Sequence, residues 1–238
     1  MTSSMPIASK KPLWQESFEK DGIAIIPEVL KVEEAETLCG NLTALELPRS
    51  RAGIRHLLRN PVISKVANDI RLLGIAQSIL GDNAFPFKAT LFDKSPEANW
   101  LVTWHQDLAL PFCEKHEIPG WGPWSIKDGI HYAHASAVTL EKVVALRLHL
   151  VGSTEKNGPL RVLPNTHQKG ILSDSAIKSI VAETDAMTCT VEKGGIIVMR
   201  PLILHASSKS LSDISRPVLH IEYATIETVP PPLKLAVA

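Results

Sequence analysis

The chain has 238 residues, 45% of them hydrophobic and 21% charged, with Lys+Arg and Asp+Glu equal at 25 each. A zero net charge gives no electrostatic case for a nucleic-acid or anionic-membrane partner. Three widely spaced cysteines (Cys39, Cys113, Cys189) make neither a C-x-x-C pair nor a disulfide framework, which points to a reducing, cytoplasmic setting.

The first twenty residues contain no apolar core of a secretory signal, no run approaches the ~18–20 apolar residues of a membrane helix, and the final Lys234-Leu-Ala-Val-Ala238 carries no lipidation motif. A short helix is expected over Leu13–Lys20, then a short apolar strand, Gly22–Ile26, stopped by Pro27. Lys31–Thr43 has helical spacing at Ala35, Leu38 and Leu42. Asn68-Asp69 can cap a helix with apolar positions Leu72, Leu73, Ile75, Ala76, Ile79 and Leu80, and Gly81 suits its end.

Beyond Gly81 the segments become short and β-rich. Strands are expected at Ala84–Phe92, Trp100–Trp104, Val143–Val151, Leu160–Leu163, Leu202–Ala206 and Pro217–Ala224, with a turn at Asn157-Gly158. Met187–Val191 and Ile196–Met199, separated by Lys193-Gly194-Gly195, read as a hairpin. About seven or eight strands, not interleaved with helices, disfavour a parallel α/β sheet. They favour a mainly β sandwich or jelly-roll barrel with N-terminal helices packed outside. One domain over 1–238 is expected, helical to about residue 82 and β-rich over about 83–226. Leu108–Leu140 is broken by three prolines and three glycines. It reads as a long loop serving as a lid or binding element, with Trp121 and Trp124 arguing against plain disorder.

The chemistry begins at His105-Gln106-Asp107. His and Asp two apart on a strand share a face, so an imidazole and a carboxylate converge. A second imidazole would make a facial triad with open metal positions. His205 stands in an apolar strand far down the chain. A polar pair on a loop edge and a hydrogen-bonded core histidine are the plain alternatives. Arg216 follows His205 by eleven residues and could pair bidentately with an acid co-substrate, or be a surface turn residue. Ser207 shares the strand face of His205. Lys94 reads as a solvated charge before a turn. His149 shares a face with Arg147, and His116, His131, His134 and His167 read as structural or solvent-facing.

The order and spacing of His105-Gln106-Asp107, His205 and Arg216 resemble the phytanoyl-CoA dioxygenase family, within the Fe(II)- and 2-oxoglutarate-dependent oxygenases. Asn157-Gly-Pro-Leu-Arg-Val-Leu-Pro-Asn-Thr-His167 resembles that family's NGxLxxxPGSH signature, with Asn165 in place of a glycine; Asn tolerates the left-handed conformation needed there. Arg200–Ser207 resembles the strand of the distal histidine. The resemblance spans roughly residues 20 to 225.

It implies a double-stranded β-helix, iron on His105, Asp107 and His205, 2-oxoglutarate on Arg216 and Ser207 with Thr90 and Arg147 lining its pocket, and O2 as the oxidant. Halogenating relatives lack the carboxylate, so Asp107 favours hydroxylation of a small molecule. The family's breadth suggests secondary-metabolite tailoring. A metal-dependent cupin that uses no 2-oxoglutarate and a non-catalytic ligand-binding barrel remain alternatives at this level. Substrate and oligomeric state are open.

Overall fold

A computed structural model describes residues 11–45 and 53–238. In chain order the elements begin with α1 (Leu13–Asp21), β1 (Ile23–Ile26), α2 (Val32–Ala44), α3 (Pro61–Ala67) and α4 (Ile70–Leu80). The middle of the chain supplies β2 (Phe85–Lys94), β3 (Val102–His105), β4 (Ala109–Phe112), β5 (Trp124–Lys127), β6 (Ile130–His134), α5 (Ala137–Leu140) and β7 (Val144–His149). The last third holds β8 (Leu160–Leu163), α6 (Asp174–Glu183), β9 (Met187–Cys189), β10 (Ile196–Met199), β11 (Leu204–Ser207) and β12 (Arg216–Ala224). None of the described helices is long and apolar enough to cross a membrane.

The strands form three antiparallel sheets. The major sheet runs β1-β10-β7-β12-β2 and the minor sheet β3-β11-β8-β9. A third runs β4-β6-β5. Strand alternation gives the major sheet two different faces. Its outer face presents Ala24, Leu91, Val144, Leu146, Leu148, Ile196, Val198, Leu219 and Ile221 to Leu38, Leu42, Ile63, Leu72 and Ala76 of the helices. Most of these side chains are fully buried, and each large aliphatic one contributes about 1.5–3 kcal/mol relative to exposure. The N-terminal helices therefore pack outside, as expected.

The inner face divides in two. Towards β1 and β10 it is apolar, where Ile23, Ala145, Ile197 and Met199 pack on Leu160, Val162 and Cys189 of the minor sheet. Towards β12 and β2 it carries Arg216, His220, Glu222, Thr90 and Lys88, which line a cavity between the sheets. The jelly roll thus exists as facing open sheets, and no strand ladder joins them among the described residues.

Local signals account for most boundaries. Asp69 caps α4 by accepting a hydrogen bond from the Arg71 N–H. Asn60 does the same for α3, with Pro61 in its first turn.

Three expectations change. Leu108–Leu140 is no bare loop: it holds the whole third sheet. Its β5–β6 hairpin turns at Asp128 (φ 48°) and Gly129 (φ 82°), the two left-handed positions that Asp-Gly supplies. Trp121 and Trp124 pack around Phe112, with centroids 5.5 and 5.4 Å away, pinning the segment to a core cluster. Next, Met187–Met199 is not a hairpin. β9 pairs with β8 in the minor sheet, while β10 pairs with β1 and β7 in the major one. The Lys193-Gly-Gly195 turn carries the chain between sheets, which periodicity within either strand cannot reveal. Finally, the described residues hold twelve strands where seven or eight were expected, chiefly because the third sheet was missed.

The chain's last residues tie the sheets together. Ala236 N–H donates to Pro111 O on β4, while Ala238 exchanges backbone hydrogen bonds with Phe87 and Ala89 on β2.

Candidate metal centre

The minor sheet sets up the centre. β3 and β11 are antiparallel neighbours, and His105 and His205 are direct register partners, so both imidazoles leave one face side by side. Their ring centroids are 4.2 Å apart. Asp107 lies just past the end of β3, its N–H held by Pro201 O at 2.9 Å. Gln106 points the other way into the protein. Its Nε2 donates to Gly170 O and Leu202 O, and its Oε1 accepts from the Leu172 N–H. That anchor fixes the backbone between the His105 imidazole and the Asp107 carboxylate.

His105 Nε2 lies 3.7 Å from Asp107 Oδ1, and His205 Nε2 lies 3.5 Å from Oδ2. The three donor atoms all fall within 4.8 Å of one another, a spacing that can hold a metal ion. Each imidazole turns its Nδ1 to the carbonyl two residues back, Thr103 O at 2.8 Å and Ile203 O at 2.9 Å. A carbonyl only accepts, so the proton sits on Nδ1 and the Nε2 lone pair faces Asp107. Burial pulls the His205 pKa down to about 4, although Asp107 opposes it, so its imidazole is neutral near pH 7. Burial alone would raise the Asp107 pKa. The adjoining His205, His105, His220 and Lys88 outweigh it and hold the carboxyl ionised, well below the ordinary carboxylate range.

At the other end of the cavity lie three cations. Arg216 is buried; its Nε and Nη2 donate to Asn157 O and Gly158 O, and its Nη1 to Ser153 Oγ. Gly158 can sit so close only because it lacks a side chain: a Cβ there would meet Ser208 O at 2.6 Å, and its φ is +69°. Arg147 is buried, donates from Nη1 to His220 Nδ1, and its Nε has no partner among the described residues.

Lys94, expected to be solvated, is 2% exposed. Its Nζ donates to Ser207 Oγ at 2.6 Å and to the Ser207 and Ser208 carbonyls. The expectation failed because Lys94, the register partner of Arg216 where β2 ends and β12 begins, turns its ammonium inward onto Ser207 and Ser208 of the facing chain. Burial, with Arg216 and Arg147 nearby, lowers its pKa to about 7. Burial and Arg147 lower that of Arg216 to about 10 against the pull of Asp93. Among the described residues the hydrogen bonds that the three donate all go to neutral acceptors. Positive charges crowded on neutral acceptors make this end receptive to an anion.

The cavity thus gathers His105, Asp107, His205, Arg216, Ser207, Thr90 and Arg147, the positions expected from the sequence to face a metal or co-substrate. Thr90 lies opposite His220 across the β2–β12 ladder. Ser207 Oγ is engaged on both sides, accepting from Lys94 and donating to Gly158 O. A larger cavity of about 630 Å³, walled by Phe85 and residues 225–235, contains none of these groups.

Sequence reading missed Lys88, Lys94, His220 and Glu222. The signal was present for two of them: His220 and Glu222 continue the alternation begun by Arg216 on β12. Asp107, His220 and Glu222 also come within 4.8 Å of one another. That cluster is not a second metal site. His220 Nδ1 accepts from Arg147, so Nε2 carries the proton and donates to Glu222 Oε1, which the Lys88 ammonium also contacts at 2.8 Å. Of the remaining histidines, His149 is buried with Nδ1 bonded to Ser153 Oγ, and His167 packs against Gly22.

The sequence model described as phytanoyl-CoA dioxygenase matches residues 18–218. Among curated proteins, the ectoine dioxygenase of Halomonas elongata is 24% identical over 83% of this chain and 64% of its own length. The L-proline trans-4-hydroxylase of Streptomyces griseoviridis is 26% identical over 67% of this chain and 61% of its own. The chain thus spans less than two thirds of the length of these relatives. Among solved structures, EctD from Sphingopyxis alaskensis with 2-oxoglutarate and 5-hydroxyectoine matches with a TM-score of 0.69 at 17% identity. That match covers 96% of this chain and 79% of EctD. The SnoN epimerase from nogalamycin biosynthesis matches with a TM-score of 0.64 at 16% identity, over 90% of this chain and 81% of that one. These likenesses establish the shared jelly-roll fold, and the family match across most of the sequence establishes kinship: the chain belongs to the phytanoyl-CoA dioxygenase family.

Proposed function

We propose that the chain is an Fe(II)- and 2-oxoglutarate-dependent oxygenase that hydroxylates a small molecule, with His105, Asp107 and His205 as the iron ligands. The observation that carries this reading is the pair of Nε2 lone pairs, fixed by two Nδ1–carbonyl hydrogen bonds and aimed at one ionised carboxylate. Two imidazoles and a carboxylate are the donor set suited to Fe(II) with open positions left for other ligands. Bound iron would supply oxygen activation coupled to decarboxylation of 2-oxoglutarate to succinate and CO2.

The chain's own work is placement. Arg216 keeps two N–H bonds beyond the three it makes, a fork that matches a carboxylate. Arg147 and Lys94 add charge beside it, and Lys94 steadies Ser207. Thr90 and Arg147 wall the path between that end and the metal ligands. His220, held between Arg147 and Glu222, keeps the floor of the cavity fixed. The ionised Asp107 supports hydroxylation over halogenation, since no ligand position is left for a halide in its place. A tailoring role on a secondary metabolite in a reducing cytosol accords with the family's breadth and with three unpaired cysteines.

Anaerobic titration tests the reading. Iron-loaded protein is expected to bind 2-oxoglutarate and, with oxygen and substrate, to release succinate. Folded, iron-loaded protein that binds no 2-oxoglutarate would sink it.

A further inference from the structure

The Lys88–Glu222 ion pair lies beside Asp107, and the family reading gives it no task. Glu222 is 3% exposed and Lys88 shows 15% of its side chain, so both charges have lost most of their water. A buried ion pair gains little over a well-packed apolar pair, so its presence here calls for a reason. The pair is also incompletely used. Lys88 and His220 both bond to Oε1 of Glu222, which leaves Oε2 without a partner among the described residues. Among the described residues Lys88 makes that one hydrogen bond, which leaves two of its N–H groups for other acceptors. Both side chains line the cavity that contains the three metal-binding candidates, and Glu222 approaches Asp107 to within 4.8 Å.

We propose that Lys88 and Glu222 form the substrate-recognition end of this cavity and select small zwitterionic molecules, an ammonium or N–H on Glu222 Oε2 and a carboxylate on Lys88 Nζ. The inference rests on the oxygenase reading and narrows its substrate class. The geometry separates the two ends of the cavity. Glu222 stands six residues from Arg216 on β12, roughly 20 Å along an extended strand, so a diacid held at Arg216 leaves this end free. His220 fixes the Glu222 carboxylate at Oε1 through a proton locked on Nε2 by Arg147, and Glu222 lines the cavity. A zwitterion satisfies both spare positions together, and its charges meet partners that are already desolvated. An acyl chain would instead bury methylenes against an ion pair and leave its spare positions unsolvated.

The test uses wild-type protein with Fe(II), 2-oxoglutarate and oxygen, reading succinate release above background. The probes are small amino and cyclic imino acids, each beside its N-acetyl and methyl-ester forms, plus straight-chain acyl thioesters. At least one free zwitterion is expected to stimulate release at least tenfold better than either blocked form. Glu222→Gln is expected to lower kcat/KM for that zwitterion at least tenfold, mainly through KM, and to shrink discrimination against the N-acetyl form. Lys88→Met is expected to do the same for the methyl ester. Stimulation by acyl thioesters, equal use of blocked forms, or no stimulation by any zwitterion while 2-oxoglutarate still binds would overturn the proposal, and the wild-type comparison stands even if a variant fails to fold. Absence of 2-oxoglutarate binding in the same wild-type samples would instead bring down the oxygenase reading itself.

Discussion

His105 and His205 are exact register partners on adjacent antiparallel strands, one hundred residues apart in sequence, and each turns its Nδ1 to the carbonyl two residues before it. Because both protons are tied down, the two Nε2 lone pairs converge on Asp107. Removing either imidazole should therefore abolish tight iron binding. Outer partners of metal ligands alone are worth about 10–100-fold in affinity. His105→Ala and His205→Ala should exceed that loss, and Gln106→Ala, which frees the backbone between two ligands, should fall within it. Anaerobic Fe(II) titration measures all three. Wild-type affinity in His205→Ala would refute the assignment.

Among the described residues Arg216 donates its hydrogen bonds to neutral acceptors. If its spare N–H groups hold a co-substrate carboxylate, Arg216→Met should weaken 2-oxoglutarate binding by about 2 kcal/mol or more, roughly thirtyfold. It should also cost stability, because Asn157 O and Gly158 O lose their donors. Calorimetric titration with 2-oxoglutarate separates the two effects once urea denaturation has confirmed the fold. An unchanged dissociation constant would count against the role given to Arg216.

Gly158 holds φ +69° with Ser208 O where a Cβ would be. Gly158→Ala should destabilise the protein by about 1–3 kcal/mol and weaken the Arg216 and Ser207 anchors that share its carbonyl. Gly74, inside α4 with open space where a Cβ would point, should respond in the opposite direction. Gly74→Ala should add about 0.5–1 kcal/mol. Urea midpoints for the two variants should move to opposite sides of wild type, and a shared direction would contradict the backbone argument.

His149 is buried beside Arg147 and Arg216, and burial followed by those two charges pushes its pKa well below the usual histidine value. The unfolded chain therefore binds a proton near pH 6.5 that the folded chain refuses. Stability from this group is fully present above about pH 6.5 and declines as pH falls below it. Metal-free protein should lose stability between pH 7 and 5, and His149→Asn should flatten that slope by up to one proton. Urea denaturation across the range measures it. Parallel slopes in wild type and variant would exclude His149 as a contributor.

Some of this was written in local sequence. The two-residue spacing of His105 and Asp107 is a strand property, so their shared face followed from backbone geometry alone. Asn157-Gly158 announced a turn, Asp69 announced the start of α4, and the alternation of β7 placed Arg147 and His149 together. These features depend on neighbours a few residues away, which is the range over which periodicity and capping act.

What required the tertiary structure was every relation between distant strands. Period two says that Lys94 and Arg216 each lie on one face, but only their pairing across β2 and β12 buries Lys94 among cations. Met187–Met199 has the composition of a hairpin, yet its strands join different sheets because β9 pairs with β8 while β10 lies between β1 and β7. The Lys88–Glu222 pair joins residues 134 apart. Alternation sets which way a side chain points, whereas the charge or carbonyl it meets is supplied by a strand that folding brings from far away in the chain.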